Sequence, residues 1–110
     1  MKFKTAILSL LMTFSGFTWA DCNDKACYGK LNKLYPSSTG KIYISFSQDM
    51  SKLNCSLVEG RYLTLKSTHV LRDQIYSMLL ASVVSGKNVA VRISTGTNDC
   101  SVMYSYMDSN

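Results

Sequence analysis

Residues 61–94 read RYLTLKSTHVLRDQIYSMLLASVVSGKNVAVRIS, and this stretch decides the fold. It begins with leucines at every second position, which predicts a strand at 61–66 with one apolar face. A helical repeat of apolar residues follows over about 69–85, and Gly86 suits the left-handed position after a helix. Alternating valines then predict another strand at 87–94. The stretch is therefore a strand, a helix and a strand.

Further strands are predicted on both sides of this stretch, at 28–35, 41–47 and 100–107. The strand at 41–47 alternates most clearly, because an apolar side chain occupies every second position. A polar segment at 48–59 has no sustained period and is expected to be a long loop. The complete order predicts a mainly β domain with one helix: a five-stranded barrel with the helix between strands three and four.

The first twenty residues have the features of a signal peptide. Lys2 and Lys4 precede a short apolar run, and a small residue, Ala20, ends the segment. We expect cleavage to leave a single domain at 21–110, and an uncleaved anchor is the alternative. No later apolar segment reaches the length of about 18 residues that a membrane-spanning helix needs. The predicted location is secreted or periplasmic.

The charge of the chain argues against a nucleic-acid partner. The net charge is +5, and loss of Lys2 and Lys4 leaves ten basic residues against seven acids, or +3. A dedicated nucleic-acid binder concentrates basic residues on one face. Lys41 beside Tyr43, and Arg61 beside Tyr62, are weak versions of the interleaved aromatic and basic pattern. We expect no nucleic-acid binding.

The four cysteines of the predicted mature chain indicate disulfides. An even number in a small exported protein favours a disulfide framework, with three connectivities available. We favour Cys22–Cys27, which would close a short loop, and Cys55–Cys100, which would tie the segment before strand three to strand five. A zinc site is the rival interpretation, but there is no C-x-x-C pair. No metal or other cofactor is predicted.

The predicted helix has more apolar surface than one small barrel needs, since its apolar residues cover about two-thirds of the circumference. The excess side chains are Tyr76, Leu80, Val83 and Val84. Exposed apolar surface often marks an interface. These four residues are therefore predicted to form the interface of a homo-oligomer. The alternative is that the loop at 48–59 folds over them.

No catalytic motif is present in the sequence. The single histidine, His69, has no evident partner for a triad, and the carboxylates show no spacing diagnostic of acid–base catalysis. Phosphate-binding loops and the common hydrolase motifs are also absent. We predict a protein that is not an enzyme and has no catalytic residues.

Seven tyrosines are the remaining chemical signal. A tyrosine has an apolar ring face for stacking and a hydroxyl for hydrogen bonding, which suits sugar rings and protein interfaces alike. Tyr43, Ser45 and Tyr62 face away from the predicted core and are the ligand-binding candidates. The alternative is that these tyrosines are ordinary half-buried residues of a sheet.

The order of elements is that of the OB-fold. Within it, QIYSMLL at 74–80, SGK at 85–87 and VAVRI at 89–93 resemble the helix–glycine–strand portion of the B subunits of subtilase-cytotoxin-type AB5 toxins. The chain is also similar to small exported bacterial proteins of unknown role that share this domain. The toxin resemblance implies a pentameric ring with helices around a pore, glycans ending in sialic acid as ligands, and a toxin A subunit as partner. It carries over no sugar-contacting residue.

Together these features predict an exported, non-catalytic binding module, a pentameric B-subunit-like protein that binds cell-surface glycans. The alternative is a monomeric periplasmic or envelope protein that binds or inhibits a protein partner through its tyrosine-rich surface.

Overall fold

The computed structural model describes residues 20–108, so the predicted signal peptide lies outside the described residues except for Ala20. The described chain is mainly β with one helix, as predicted. In chain order the elements are β1 (Asp21–Cys22), β2 (Ala26–Gly29), β3 (Leu31–Pro36), β4 (Ile42–Phe46), β5 (Leu63–Leu65), α1 (Arg72–Ser85), β6 (Val89–Ile93) and β7 (Val102–Tyr106).

The strands form two antiparallel sheets. One has four strands in the order β1-β2-β6-β7, and the other has three in the order β3-β4-β5. The sheets meet at two points. Lys30 alone separates β2 from β3 along the chain, and a single parallel bridge joins Thr64 to Ser101. There the Thr64 N–H donates to the Cys100 carbonyl at 3.1 Å.

The prediction of a closed five-stranded barrel is therefore wrong for the described part of the chain, in which seven strands form two sheets without closing. The predicted first strand, 28–35, is divided at Lys30 between two sheets. Its first part pairs with β6 and its second part pairs with β4. A segment that is continuous in sequence therefore belongs to two different sheets.

The core lies between the inner faces of the two sheets and α1. On β4, Ile42 and Ile44 are 1% and 0% exposed, which follows from the alternation in the sequence. Val89 and Val91 on β6 are also fully buried. The helix contributes Ile75 and Leu79 to the same cluster and packs against β3 and β7.

The helix begins at Arg72, three residues later than predicted, because residues 66–71 form hydrogen-bonded turns instead. Leu71 precedes the helix, and its N–H donates to Nδ1 of His69 at 3.0 Å. Since Nδ1 is an acceptor, the other ring nitrogen of His69 carries the hydrogen and donates to the Met103 carbonyl at 2.8 Å. His69 thus ties the start of α1 to β7.

The end of the helix is as predicted. Gly86 has φ of 72°, in the left-handed region, and its N–H donates to the Ser82 carbonyl at 2.9 Å. A glycine adopts this conformation at little cost because it has no Cβ.

Both predicted disulfides, Cys22–Cys27 and Cys55–Cys100, are confirmed. The second one holds the long loop between β4 and β5 against the start of β7. Backbone hydrogen bonds extend this attachment, since the Ser56 N–H donates to Thr97 and the Gly96 N–H donates to Asn54. Two disulfides in a domain of this size indicate an oxidising compartment. Among residues 20–108, no helix is long and apolar enough to cross a membrane.

Candidate functional site

Three tyrosines form a cluster on the outer face of the three-stranded sheet. The strand register sets Tyr35 of β3 directly opposite Tyr43 of β4, and their ring centroids are 5.4 Å apart. Tyr62, just before β5, completes the triangle at 5.7 Å from each of the other two rings. These separations are within the range of favourable aromatic pairs. The three rings therefore form one packed unit.

The members of this tyrosine cluster differ in how far solvent reaches them. Tyr62 is 6% exposed, and the guanidinium of Arg61 lies over its ring, 5.9 Å from the centroid. Tyr43 is half-buried, and Tyr35 is 37% exposed. Tyr62 is one of the predicted ligand candidates, but neighbouring rings and Arg61 cover most of it. Tyr35 is the ring that a ligand can reach.

The environment of Tyr35 also affects its hydroxyl. Desolvation raises the pKa of the Tyr35 hydroxyl above its usual value, and the neighbouring Tyr62 and Glu59 add to this rise. Tyr35 therefore remains a neutral phenol at physiological pH, able both to donate and to accept a hydrogen bond.

A small depression of about 80 Å³ lies beside the cluster. Its lining residues are polar or aromatic: Asn32, Lys33, Ser45, Arg61 and Tyr62. Two of the three predicted ligand residues, Ser45 and Tyr62, meet here, while Tyr43 does not line it. Ser45 is itself 9% exposed, so only part of its side chain is available to a ligand.

A larger depression of about 260 Å³ adjoins the first, and the two share Ser45 and Arg61. It is formed by the end of β4 and the loop that follows, including Gln48 and Asp49. The Gln48 amide nitrogen donates to the Tyr28 carbonyl at 2.9 Å. Its oxygen is buried and accepts no hydrogen bond from the described residues. The Gln48 amide lies against Gly29 of β2, so it joins the start of this loop to the other sheet.

Asp49 adds a carboxylate at the same rim. Hydrogen bonds from the backbone N–H and the hydroxyl of Ser51, at 2.9 and 3.0 Å, lower the pKa of the Asp49 carboxyl below its usual value. The two adjoining depressions together offer amide, hydroxyl, carboxylate and guanidinium groups, and we call the pair the Ser45 cleft.

Sequence reasoning named Ser45 and Tyr62, which line the Ser45 cleft, but missed most of its other residues. Tyr35 was detectable, since a turn at 36–40 between two strands brings it opposite Tyr43. Gln48 and Asp49 were not, because they lie in a loop whose path is set by the Cys55–Cys100 disulfide rather than by a local pattern.

The predicted interface residues are largely exposed. Leu80, Val83 and Val84 are 44%, 46% and 80% exposed, so the loop after β4 does not cover them. Tyr76 is half-buried and packs against the core, which makes it part of the domain interior as well. The exposed apolar surface predicted for α1 is therefore present on three of the four residues.

Titratable residues do not form a further centre in the described part of the chain. Among residues 20–108, no three His, Cys, Asp or Glu side chains are grouped so that they could hold a metal ion. His69 has both ring nitrogens engaged in the structural hydrogen bonds described above.

No family model matches the chain, and the curated proteins and solved structures likewise yielded no match.

Proposed function

We propose that the protein is an exported, non-catalytic module that binds glycans in the Ser45 cleft. The observation that carries this proposal is a pair of adjoining depressions that are lined by polar groups, include two cations without an ion-pair partner among the described residues, and are bordered by a tyrosine cluster. Sugars offer many hydroxyls that both donate and accept, together with apolar ring faces. The cleft has matching groups for both.

The polar groups suit hydroxyl recognition. Asp49 supplies acceptors, while Arg61 and Lys33 supply donors. Neither Arg61 nor Lys33 forms an ion pair with another described residue. Two unpaired cations beside the smaller depression favour a sugar that carries an acidic group, in agreement with the ligands that the toxin resemblance implies.

The aromatic part of the site belongs to Tyr35. Its exposed ring can support one face of a sugar, and the buried rings of Tyr43 and Tyr62 hold it in position. We therefore assign the stacking role to Tyr35, which was not among the predicted ligand residues Tyr43, Ser45 and Tyr62.

The proposed fold is an OB-fold in which β2 and β3 together act as the first strand. Several features support this. A single residue, Lys30, separates them, the helix follows β5 and precedes β6, and the Thr64–Ser101 bridge links β5 to β7 in parallel. An OB-fold uses one sheet face and the neighbouring loops for oligosaccharides. The Ser45 cleft lies on such a face.

A homo-oligomer is the second part of the proposal. Exposed Leu80, Val83 and Val84 on one helix support it, since contact with a second copy would remove this apolar surface from water. The pentameric number and a toxin A subunit remain predictions of the resemblance.

A glycan array tests the binding proposal. Biotinylated protein clustered on streptavidin gives the multivalency that weak sugar binding needs, whatever the oligomeric state. We expect retention on a subset of sugars, with acidic sugars enriched. Arg61→Ala should weaken binding to those sugars about tenfold or more, because a charged hydrogen bond to the ligand is lost.

Lys66→Ala is the matched control, since Lys66 is an exposed cation that does not line the cleft. Its binding should equal that of the wild type. Absence of retention on every sugar would refute the glycan proposal. Equal loss in both variants would refute the assignment to the Ser45 cleft.

A further inference from the structure

A second surface with interface chemistry lies on the outer face of the four-stranded sheet. The register pairs Arg92 of β6 with Tyr104 of β7, and it sets Ala90 between Tyr106 and Tyr28. These side chains lie opposite the buried valines of β6, so they share the face that points away from the core. Arg92 is thus flanked by three tyrosines from two neighbouring strands, and we call this surface the Arg92 face.

Arg92 is half-buried and lacks an acceptor within the described residues. Its Nε is buried and makes no hydrogen bond. The ion pair found between residues 20 and 108 joins Arg72 to Asp73, so no described carboxylate lies within 4.0 Å of the Arg92 guanidinium. A buried donor without a partner is costly. Because the side chain as a whole is only half-buried, an external carboxylate would pair with the charge of its guanidinium.

The tyrosines beside Arg92 remain accessible. Tyr104 and Tyr106 are 41% and 51% exposed, and Tyr28 is half-buried. Arginine and tyrosine are among the residues that contribute most to protein–protein interfaces. A sheet face with a central arginine and a border of tyrosines therefore has the composition of a protein–protein interface.

The charge that favours an acidic partner is that of Arg92 itself. Lys30 and Lys87 line a depression of about 260 Å³ beside Tyr28, and Asp108 lines it as well. Asp21 lies opposite Tyr28 in the strand register. The two carboxylates therefore balance the two lysines at this end of the sheet, and among the described residues Arg92 is left as the unpaired charge of the face.

We propose that the Arg92 face binds an acidic segment of a partner protein, with a carboxylate on Arg92 and neighbouring apolar groups against the tyrosines. This proposal does not depend on the glycan proposal, because the two surfaces lie on different sheets and share no residue.

Titration of the ¹⁵N-labelled protein with two blocked six-residue peptides tests the proposal by NMR. One peptide alternates glutamate with leucine, and the control peptide alternates glutamine with leucine. We expect saturable shifts of the Arg92 Nε–Hε signal and of the Tyr104 and Tyr106 amides with the glutamate peptide only. Arg92→Gln should weaken this binding about tenfold or more.

Two further variants locate the contact. Tyr104→Ala removes an exposed ring and should weaken binding several-fold while the thermal midpoint stays close to that of the wild type. Lys66→Gln removes an exposed cation that lies outside both proposed surfaces and should leave binding unchanged. Lack of saturation, equal binding of both peptides, or equal loss in Lys66→Gln and Arg92→Gln would each overturn the proposal. If sodium acetate bound as tightly as the glutamate peptide, the proposal would also be overturned, because the rest of the peptide would then contribute nothing to binding.

Discussion

The pKa of the Asp49 carboxyl in the Ser45 cleft is lowered by a residue close to it in sequence. Both hydrogen bonds that lower the pKa of its carboxyl come from Ser51, two positions later. Such a short-range arrangement fixes the carboxylate at the rim of the cleft without any long-range partner. The same arrangement gives a definite dependence on pH.

We predict that Ser51→Ala raises the pKa of Asp49 toward its usual value, because the hydroxyl hydrogen bond is lost while the backbone bond stays. A ¹³C NMR titration of the Asp49 carboxyl measures this directly. Because the folded-state pKa is lowered, the stabilisation from this group is present above the unfolded-state pKa and is lost as the pH falls through the folded-state value.

Ser47→Ala is the control for this titration, since Ser47 is exposed and makes no side-chain contact with Asp49 in the structure. Its Asp49 titration should match that of the wild type. An unchanged Asp49 pKa in Ser51→Ala would mean that the hydroxyl hydrogen bond does not form in solution.

At the scale of elements, the two disulfides act on loops of very different length. Cys55–Cys100 spans 45 residues and Cys22–Cys27 spans 5. The chain-entropy argument makes the longer loop more stabilising, because the unfolded chain loses more freedom when it is closed. The long-range bridge also holds the loop that forms the larger depression of the cleft.

We predict that the double variant Cys55→Ser/Cys100→Ser lowers the free energy of unfolding by about 4 kcal/mol, and that Cys22→Ser/Cys27→Ser lowers it by about 2 kcal/mol. Urea denaturation followed by tyrosine fluorescence gives both values. Equal losses in the two variants would contradict the loop-length explanation.

The local sequence pattern predicted the strands and the helix better than it predicted which strands pair with each other. The strand at β4 was predictable because Ile42 and Ile44 alternate with polar residues on a sheet with one buried face. The division at Lys30 was not, because nothing local shows that β2 and β3 pair with different strands. For the same reason the sequence suggested a closed barrel, and the late start of α1 depended on a contact of His69 with distant Met103.

The candidate site was predictable to a similar degree. Alternation on β4 identified the outward positions of Tyr43 and Ser45. The alternation at 61–66 likewise made Tyr62 a ligand candidate, but the rings of Tyr35 and Tyr43 and the Arg61 guanidinium cover most of it. Burial of a ring by distant side chains depends on tertiary packing, which the periodicity of a sequence does not predict.

At the scale of the whole molecule, a monomer leaves the apolar face of α1 exposed to water. We predict that the wild type is a homo-oligomer and that Leu80→Asp dissociates it, because a charge at the interface would be buried without a partner. Size exclusion with light scattering measures the mass of each. Gln74→Asp is the control, since Gln74 is exposed on the first turns of the helix, away from the three apolar residues.

A monomeric wild type would contradict the oligomer proposal, and an oligomeric Leu80→Asp would contradict the choice of interface. The glycan and Arg92 proposals are unaffected by either outcome, because both surfaces lie on the sheets of a single copy.

The Cys55–Cys100 bridge also determines what happens when the backbone is cut. A single cleavage anywhere in 56–99, including one within α1, produces two fragments that stay on one covalent molecule. A cleavage in 28–54 produces two fragments held only by packing, because Cys22 and Cys27 both remain on the first of them. After a break in the segment that contains α1, the two fragments therefore remain covalently joined. After a break in 28–54, which includes Ser45, they can separate on unfolding.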